Sequence, residues 1–271
     1  MQPKAFTHKV PGVGNTTDAN AAWYIARAET AGRVFTTAEK AAINKFYKYL
    51  KGQVNPALNV FSQVRDLKLY TGTTAAINLL DGVDSIFDAS FFGGITHNAN
   101  GITGNGATGY YTFNFTPSVH FTDNNHTYVN YTRNNATGNY ALFGSVNAAF
   151  NGDTCYPDLG GLTYFSIGCG VSGGAATVGA AGVNIFTRCT AADEKMYKNG
   201  ALVYNKNNAA IFFSNIPMAR LARNYNGAID RYSPYNSCFD MTINRGLTPT
   251  EAAILSTAVN ELQTAFGRNI Y

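Results

Sequence analysis

Glutamate is nearly missing from the middle of this chain. Between Gln53 and Arg245 only Glu194 occurs, while Glu29, Glu39, Glu251 and Glu261 sit near the two ends. Charge of either sign is scarce too. Asp, Glu, Lys and Arg make up 13% of residues, against roughly 25% in ordinary globular domains. The shortage takes away the residue type most used for acid/base work inside a β-sandwich, so the body reads as a displayed surface more than a catalyst. At a net charge of +4, no Lys/Arg cluster is dense enough to neutralise a row of phosphates, which argues against nucleic-acid binding. The closest approach to one, Lys40, Lys45, Lys48 and Lys51, recurs at helical spacing opposite an apolar stripe and reads as a solvated face. No apolar run reaches about 18 residues, so no membrane insertion is expected. The opening MQPKAFTHKVPGVG has no apolar h-region, and the expectation is folding in a cytoplasm. Cys155, Cys169, Cys189 and Cys238 show no CxxC spacing, and reduced thiols are expected there.

What the chain does contain is 45% apolar residues, 27 Gly and 17 Tyr, with Asn and Thr supplying the polarity. That composition builds a core and is unlike a disordered segment, which pairs high charge with few aromatics. Residues 1–17 hold Pro3, Pro11, Gly12 and Gly14 without periodicity and read as an extended arm. Residues 18–52 read as two helices. In the first, Thr17 or Asp18 caps, Ala22, Trp23 and Ala26 share a face, and Gly32 terminates. In the second, Thr36 or Thr37 caps, Ile43, Phe46, Tyr47 and Leu50 form the apolar stripe, and Gly52 ends it.

From residue 53 to 245 the period falls from 3.6 to about 2. AINLL, SIFDASFF, YYTFNF, HTYVNYTR, LTYFSI, VNIFTR, AIFFS and FDMTI are rich in β-branched and aromatic residues and are punctuated by Gly, Asn, Asp and Pro. In EKMYKNGALVY, Asn199-Gly200 supplies the two positive-φ residues of a type I′ hairpin. Many short strands of this kind mean a sandwich or barrel. Residues 246–271 close the chain with a helix whose start carries Thr248 as cap, Pro249 at the first position and Glu251 completing a capping box. Its stripe of Ile254, Leu255, Val259, Leu262 and Phe266 is expected to pack against a sheet edge.

Two catalytic patterns in SIGCGVSGGAATVGAAG fail on context. Gly168-x-Gly170-x-x-Gly173 matches the dinucleotide fingerprint, but the glycines that follow would not sustain the helix that must receive a pyrophosphate. Gly170-x-Ser172-x-Gly174 resembles a nucleophile elbow, yet His8, His97, His120 and His126 all precede the serine. The tract reads as a flexible loop at the rim. Asp81, Asp84 and Asp88 are the one dense carboxylate cluster; Asp81-Gly82 reads as a turn, with Asp84 and Asp88 flanking a strand. No catalytic residue is assigned.

SIFDASFFGGITHNANGITGNGATGYYTFNFTPS, HTYVNYTRNN, EKMYKNGALV and GLTPTEAAILSTAVNELQTAFGR, in that order, resemble the concanavalin A-like (laminin-G-like) lectin/glucanase domains of virion structural proteins in tailed phages, those of the crAss-like kind above all. The resemblance runs from about residue 18 to the end. It implies a mainly β chain, a jelly-roll sandwich with N-terminal helices and a C-terminal helix. It implies a non-enzymatic head fibre, decoration or tail appendage on the virion surface, assembled in the host cytoplasm. Its partners would be other virion proteins, reached through residues 1–17, and further copies of itself as a trimer or dimer. The alternative within the same fold is a carbohydrate-binding adhesion module for host surface glycans, and a third reading is a glycan-degrading enzyme. The glucanase strand of the pattern Glu-x-Asp-x-(x)-Glu is absent here.

The fold family often carries Ca²⁺ at the sandwich rim, and His120 and His126 bracketing Asp123, Asn124 and Asn125 would be the place for it. FTDNNHT also reads simply as a polar hairpin turn. For glycan recognition the expected patch is NYNGAIDRYSPYNS, with Tyr225, Asn226, Asp230, Arg231, Tyr232 and Tyr235 as candidate contacts.

Overall fold

The computed structural model describes residues 17–122, 125–170, 175–176, 178–190, 192–209 and 213–270. The arm expected over residues 1–17 therefore lies almost wholly outside them. In α1 (Ala19–Thr30) the Asp18 carboxylate accepts hydrogen bonds from the amides of Asn20 and Ala21, and α2 (Thr37–Leu50) opens with a capping box between Thr36 and Glu39. Two single turns, α3 (Ala75–Asn78) and α4 (Pro117–His120), interrupt the strands. The last helix, α5 (Pro249–Ala265), starts with the expected Thr248–Glu251 box and Pro249 in its first turn.

The strands among the described residues are β1 (Val64–Lys68), β2 (Ser90–Phe92), β3 (Thr96–Asn98), β4 (Gly101–Thr103), β5 (Tyr110–Thr112) and β6 (Thr127–Thr132). They continue with β7 (Phe143–Val146), β8 (Asn151–Leu159), β9 (Leu162–Gly170), β10 (Ala175–Ala176), β11 (Gly182–Thr190) and β12 (Asp193–Lys198). The remainder are β13 (Ala201–Lys206), β14 (Ala219–Arg220), β15 (Arg223–Tyr225), β16 (Ala228–Asp230) and β17 (Asn236–Ile243). One sheet runs β13-β12-β11-β6-β17-β4-β3, with β1 also on β17; the other runs β10-β9-β8-β7-β14-β5-β2, with the β15–β16 hairpin added on β7. Neighbouring strands are antiparallel except β15 and β7, which are parallel. The chain is thus mainly β, a jelly-roll sandwich with helices at both ends.

Strand alternation assigns the two faces of the first sheet to two cores. Tyr128, Phe186 and Met196 point between the sheets, into a core shared with Tyr111, Phe143 and Phe165. Their neighbours Val129, Tyr131, Ile185 and Tyr197 point the other way and meet Ile43, Phe46, Leu255 and Leu262 of the helices. The molecule is three layers: helices, sheet, sheet. The α5 helix accordingly covers a sheet face and not the edge the sequence suggested. The reason is that β6, β11 and β17 are apolar on both faces, so the outer one needs a cover. The α1 helix also turns differently from expectation. It buries Ala21, Tyr24, Ile25 and Ala28, while Trp23 stays half-buried with the Arg27 guanidinium 4.6 Å above its ring.

Two local readings change. Ser85–Phe87 is a 3₁₀ turn capped by Asp84, not a strand. Gly168 belongs to β9, so the glycine tract begins as a strand and not a loop; residues 171–174 lie outside the description. FTDNNHT stands between α4 and β6, and its Asp123 and Asn124, the heart of the expected turn, lie outside the described residues. Among the described cysteines, Cys155, Cys189 and Cys238 are unbridged. No described helix is long and apolar enough to cross a membrane.

The interior is also charged. Arg220 lies 3.8 Å from Asp66 and 3.6 Å from Asp240, and the Tyr70 and Tyr111 hydroxyls donate to Asp240 at 2.7 and 2.9 Å. Lys68 pairs with Asp81 at 2.6 Å, fully buried. Glu194, near the start of β12, is sealed against Arg188 and Lys206 at 3.1 Å each.

Candidate functional site

The hairpin β15–β16 and the turn between β7 and β8 build a surface from local chemistry upward. In the turn, the Asn147 side chain accepts from the amides of Ala149 and Asn151 at 3.0 Å each. That bracing throws Phe150 into the left-handed region at φ 61 and leaves it 51% exposed. A bulky aromatic in that conformation is uncommon, and such strain gathers where function needs a fixed shape.

Parallel pairing sets Tyr225 opposite Val146. The Tyr225 ring then stacks on Phe150 at 4.9 Å and 29°, and its hydroxyl donates to the Ala148 carbonyl at 3.1 Å. Asn226 and Gly227 supply φ 50 and 90, the type I′ signature that lets so short a hairpin close. Register pairs Arg223 with Asp230. The guanidinium grips that carboxylate with Nε at 2.8 Å and a second bond from Nη2, and it lies 4.9 Å over the Tyr225 ring. Gly144 makes room for this arginine, because a Cβ there would sit 2.7 Å from the Arg223 Cγ.

Past the hairpin, Arg231 is exposed at φ 56, with its carbonyl held by the Ala141 amide. Tyr232 donates to the Ile229 carbonyl and lies 6.0 Å from the Tyr110 ring, which stacks on the 42% exposed Phe92 at 4.8 Å. The result is an open aromatic platform edged by guanidinium groups.

Of the residues expected from sequence, Tyr225, Asn226, Asp230, Arg231 and Tyr232 come together here. Tyr235 does not. It is fully buried with its hydroxyl on the Ala136 carbonyl, and burial pushes its phenol well up. Phe150 and Phe92 were missed, because parallel pairing and sheet neighbours bring them in from far along the chain; Arg223 was missed although it lies only two residues before Tyr225 on the same strand. The one local signal for Phe150 was an aromatic after Asn-Ala-Ala between two strand-like runs.

The other expected sites fare differently. Asp123 and Asn124 of the Ca²⁺ reading lie outside the described residues. His126 is sealed in the core with Nε2 3.0 Å from Asp153, so it does not face a rim. His120 meets its own turn at Thr116. Among the described residues no group of three His, Cys, Asp or Glu could hold a metal ion. The sandwich does contain a carboxylate pair, Asp66 and Asp240, either side of Arg220. Burial raises Asp66 to about 6 over the opposing pull of Arg220 and Lys68, and it raises Asp240 as well. Both are buried in the interior, out of reach of a polysaccharide. On the helix layer, a groove of about 580 Å³ runs between α2 and α5, lined by Phe46, Tyr49, Glu261 and Leu262 among others.

No protein-family model matches the chain, and no curated protein matches it in sequence. Solved structures do. A structure of botulinum neurotoxin type C, which enters cells through interaction with two ganglioside molecules, aligns at TM-score 0.55 and 13% identity over 74% of this chain and 52% of that one. A receptor binding domain aligns at 0.55 and 13% over 76% and 53%. A mutant Trypanosoma rangeli sialidase displaying trans-sialidase activity aligns at 0.52 and 12% over 83% and 40%. The chain spans about half the length of the first two. At these identities the likeness is one of fold alone: a β-sandwich.

Proposed function

We propose that this chain is a non-enzymatic, glycan-binding sandwich that works as an adhesion module. The observation that carries the reading is the exposed Phe150–Tyr225 stack, held by the braced turn and the type I′ hairpin. Pyranose rings offer faces of C–H groups that pack on aromatic faces. A rigid stack presents such a face without losing side-chain entropy on binding. The similar structure of botulinum neurotoxin type C, whose cell entry depends on interaction with two ganglioside molecules, supports the reading. So does the engagement of the interior carboxylates with buried cations and tyrosines, which leaves none of them accessible for hydrolysis.

The test is titration calorimetry against a panel of host-surface oligosaccharides with the natural protein and the Phe150→Ala/Tyr225→Ala variant. Each ring is expected to contribute about 1 kcal/mol, so the pair should cost roughly 30-fold in affinity with folding intact. Equal affinity in the variant would move the site elsewhere. Release of reducing ends from any panel member would make the chain an enzyme instead.

On the family resemblance we place this module on a phage particle, displayed at the virion surface after assembly in the host cytoplasm, as a dimer or trimer anchored by residues 1–17. Particles grown with those residues deleted are expected to lack the protein. Unchanged incorporation would refute the anchoring role.

A further inference from the structure

Resting on the glycan reading, we infer that the platform selects acidic glycans, with the carboxylate of a sialic or uronic acid seated on Arg231. The argument begins with a chain of contacts. Phe150 stacks on Tyr225 at 4.9 Å, Arg223 lies 4.9 Å over Tyr225, Arg223 grips Asp230 with Nε at 2.8 Å, and Arg231 Nε stands 3.8 Å from Asp230. The hydrophobic stack and the second guanidinium are therefore joined by one chain of contacts along the β15–β16 hairpin.

The charges along it do not balance. Asp230 is engaged in two bonds by Arg223, whose side chain is 8% exposed. Arg231, 39% exposed, reaches the same carboxylate only at 3.8 Å, beyond hydrogen-bond range. Two guanidinium groups face one carboxylate, and the surplus positive charge is on the exposed one. With a 39% exposed side chain and only this distant contact to Asp230, the Arg231 guanidinium keeps donors that a ligand can take.

Backbone geometry adds an independent mark. Arg231 sits at φ 56, as Phe150 does at φ 61 and Asn226 at φ 50. Of the seven non-glycine residues with positive φ among those described, these three fall on the platform. A left-handed arginine costs about 1–3 kcal/mol, which the fold sustains only where neighbours fix it. The Ala141 amide on its carbonyl is one such fixture. A planar guanidinium held in this way matches a carboxylate with two parallel bonds, whereas a neutral sugar hydroxyl would use only one of its donors.

The experiment compares sialyllactose with lactose, and galacturonate oligomers with galactose oligomers, by calorimetry in low and high salt. It uses the natural protein, Arg231→Ala, Arg231→Lys, and Phe150→Ala/Tyr225→Ala, with melting curves confirming that each is folded. The acidic member of each pair should bind about tenfold tighter, with a preference that shrinks as salt rises. Arg231→Ala should bring the acidic-to-neutral ratio to about one, and Arg231→Lys should leave it intermediate because charge remains but the fork is lost. Equal binding of acidic and neutral members by the natural protein would overturn the inference while leaving the glycan reading intact. So would an acid preference that survives in Arg231→Ala. Binding to no member of the panel would overturn both.

Discussion

Arg220 shows what the interior of this sandwich asks of single residues. An unpaired buried cation is very costly, and removing one member of a buried pair typically costs about 3–5 kcal/mol. Here the cation is matched by Asp66 and Asp240, and the latter is held by two tyrosine hydroxyls. Burial dominates the acidities. Asp66 moves from 3.8 to about 6, so the folded chain holds that proton more tightly than the unfolded chain between those values. Its contribution to stability is therefore complete below about 4 and lost as pH rises through about 6, the reverse of an ordinary salt-bridged aspartate. Replacing Asp66 by Asn removes this dependence. The stability of the natural protein relative to Asp66→Asn should grow by up to about 3 kcal/mol as pH falls from 7 to 4, measured by urea unfolding. A difference that stays flat over that range would contradict the assignment. None of this was legible beforehand. Asp66 and Asp240 lie on paired strands of one sheet far apart in sequence and Arg220 on the other sheet, so only strand pairing and the packing of the two sheets put them together.

At the scale of elements, what the sequence revealed was whatever local chemistry decides. The caps of α2 and α5 and the Asn199–Gly200 turn involve residues within a few positions of each other, and all form as expected. The face of α1 was misjudged because Trp23 looks like a core residue. Its ring instead lies under Arg27, and Tyr24 is buried with its hydroxyl paired to Thr71 at 2.8 Å. The candidate patch was half legible. Tyr225, Asn226, Asp230, Arg231 and Tyr232 are contiguous, while Phe150 enters through the parallel pairing of β15 with β7, for which no local pattern exists. Tyr235 looked equivalent to Tyr232 but immediately precedes β17, whose residues are mostly buried. The β15–β16 hairpin makes the platform testable as an element. Gly227 has φ 90 with open space where a Cβ would go, so Gly227→Ala acts through backbone conformation alone. We expect a loss of about 1 kcal/mol in stability and several-fold weaker glycan binding, because Tyr225 and Arg223 lose their fixed frame. Unaltered affinity in calorimetry would mean that the hairpin does not shape the site.

The whole molecule explains its own shortage of charge. Among the described residues, eight of the Asp, Glu, Lys and Arg side chains (Asp66, Lys68, Asp81, Asp153, Arg188, Glu194, Arg220 and Arg268) belong to residues at most 1% exposed. With only 13% charged residues to begin with, little charge remains for the surface, and amides, hydroxyls and aromatic rings take its place. Glu194, the lone glutamate of the β body, is one of those interior charges, so the scarcity first seen in the sequence is a scarcity at the surface as well. Layering divides the rest of the labour. The helices cover the outer face of the first sheet, and the platform belongs to the second. The most direct measurement is saturation-transfer NMR between the protein and a bound oligosaccharide, comparing the natural chain with Phe150→Ala/Tyr225→Ala. The account predicts strong transfer to the ring protons of one sugar face, abolished in the folded variant. Absence of transfer at millimolar oligosaccharide, or transfer undiminished in the variant, would contradict it.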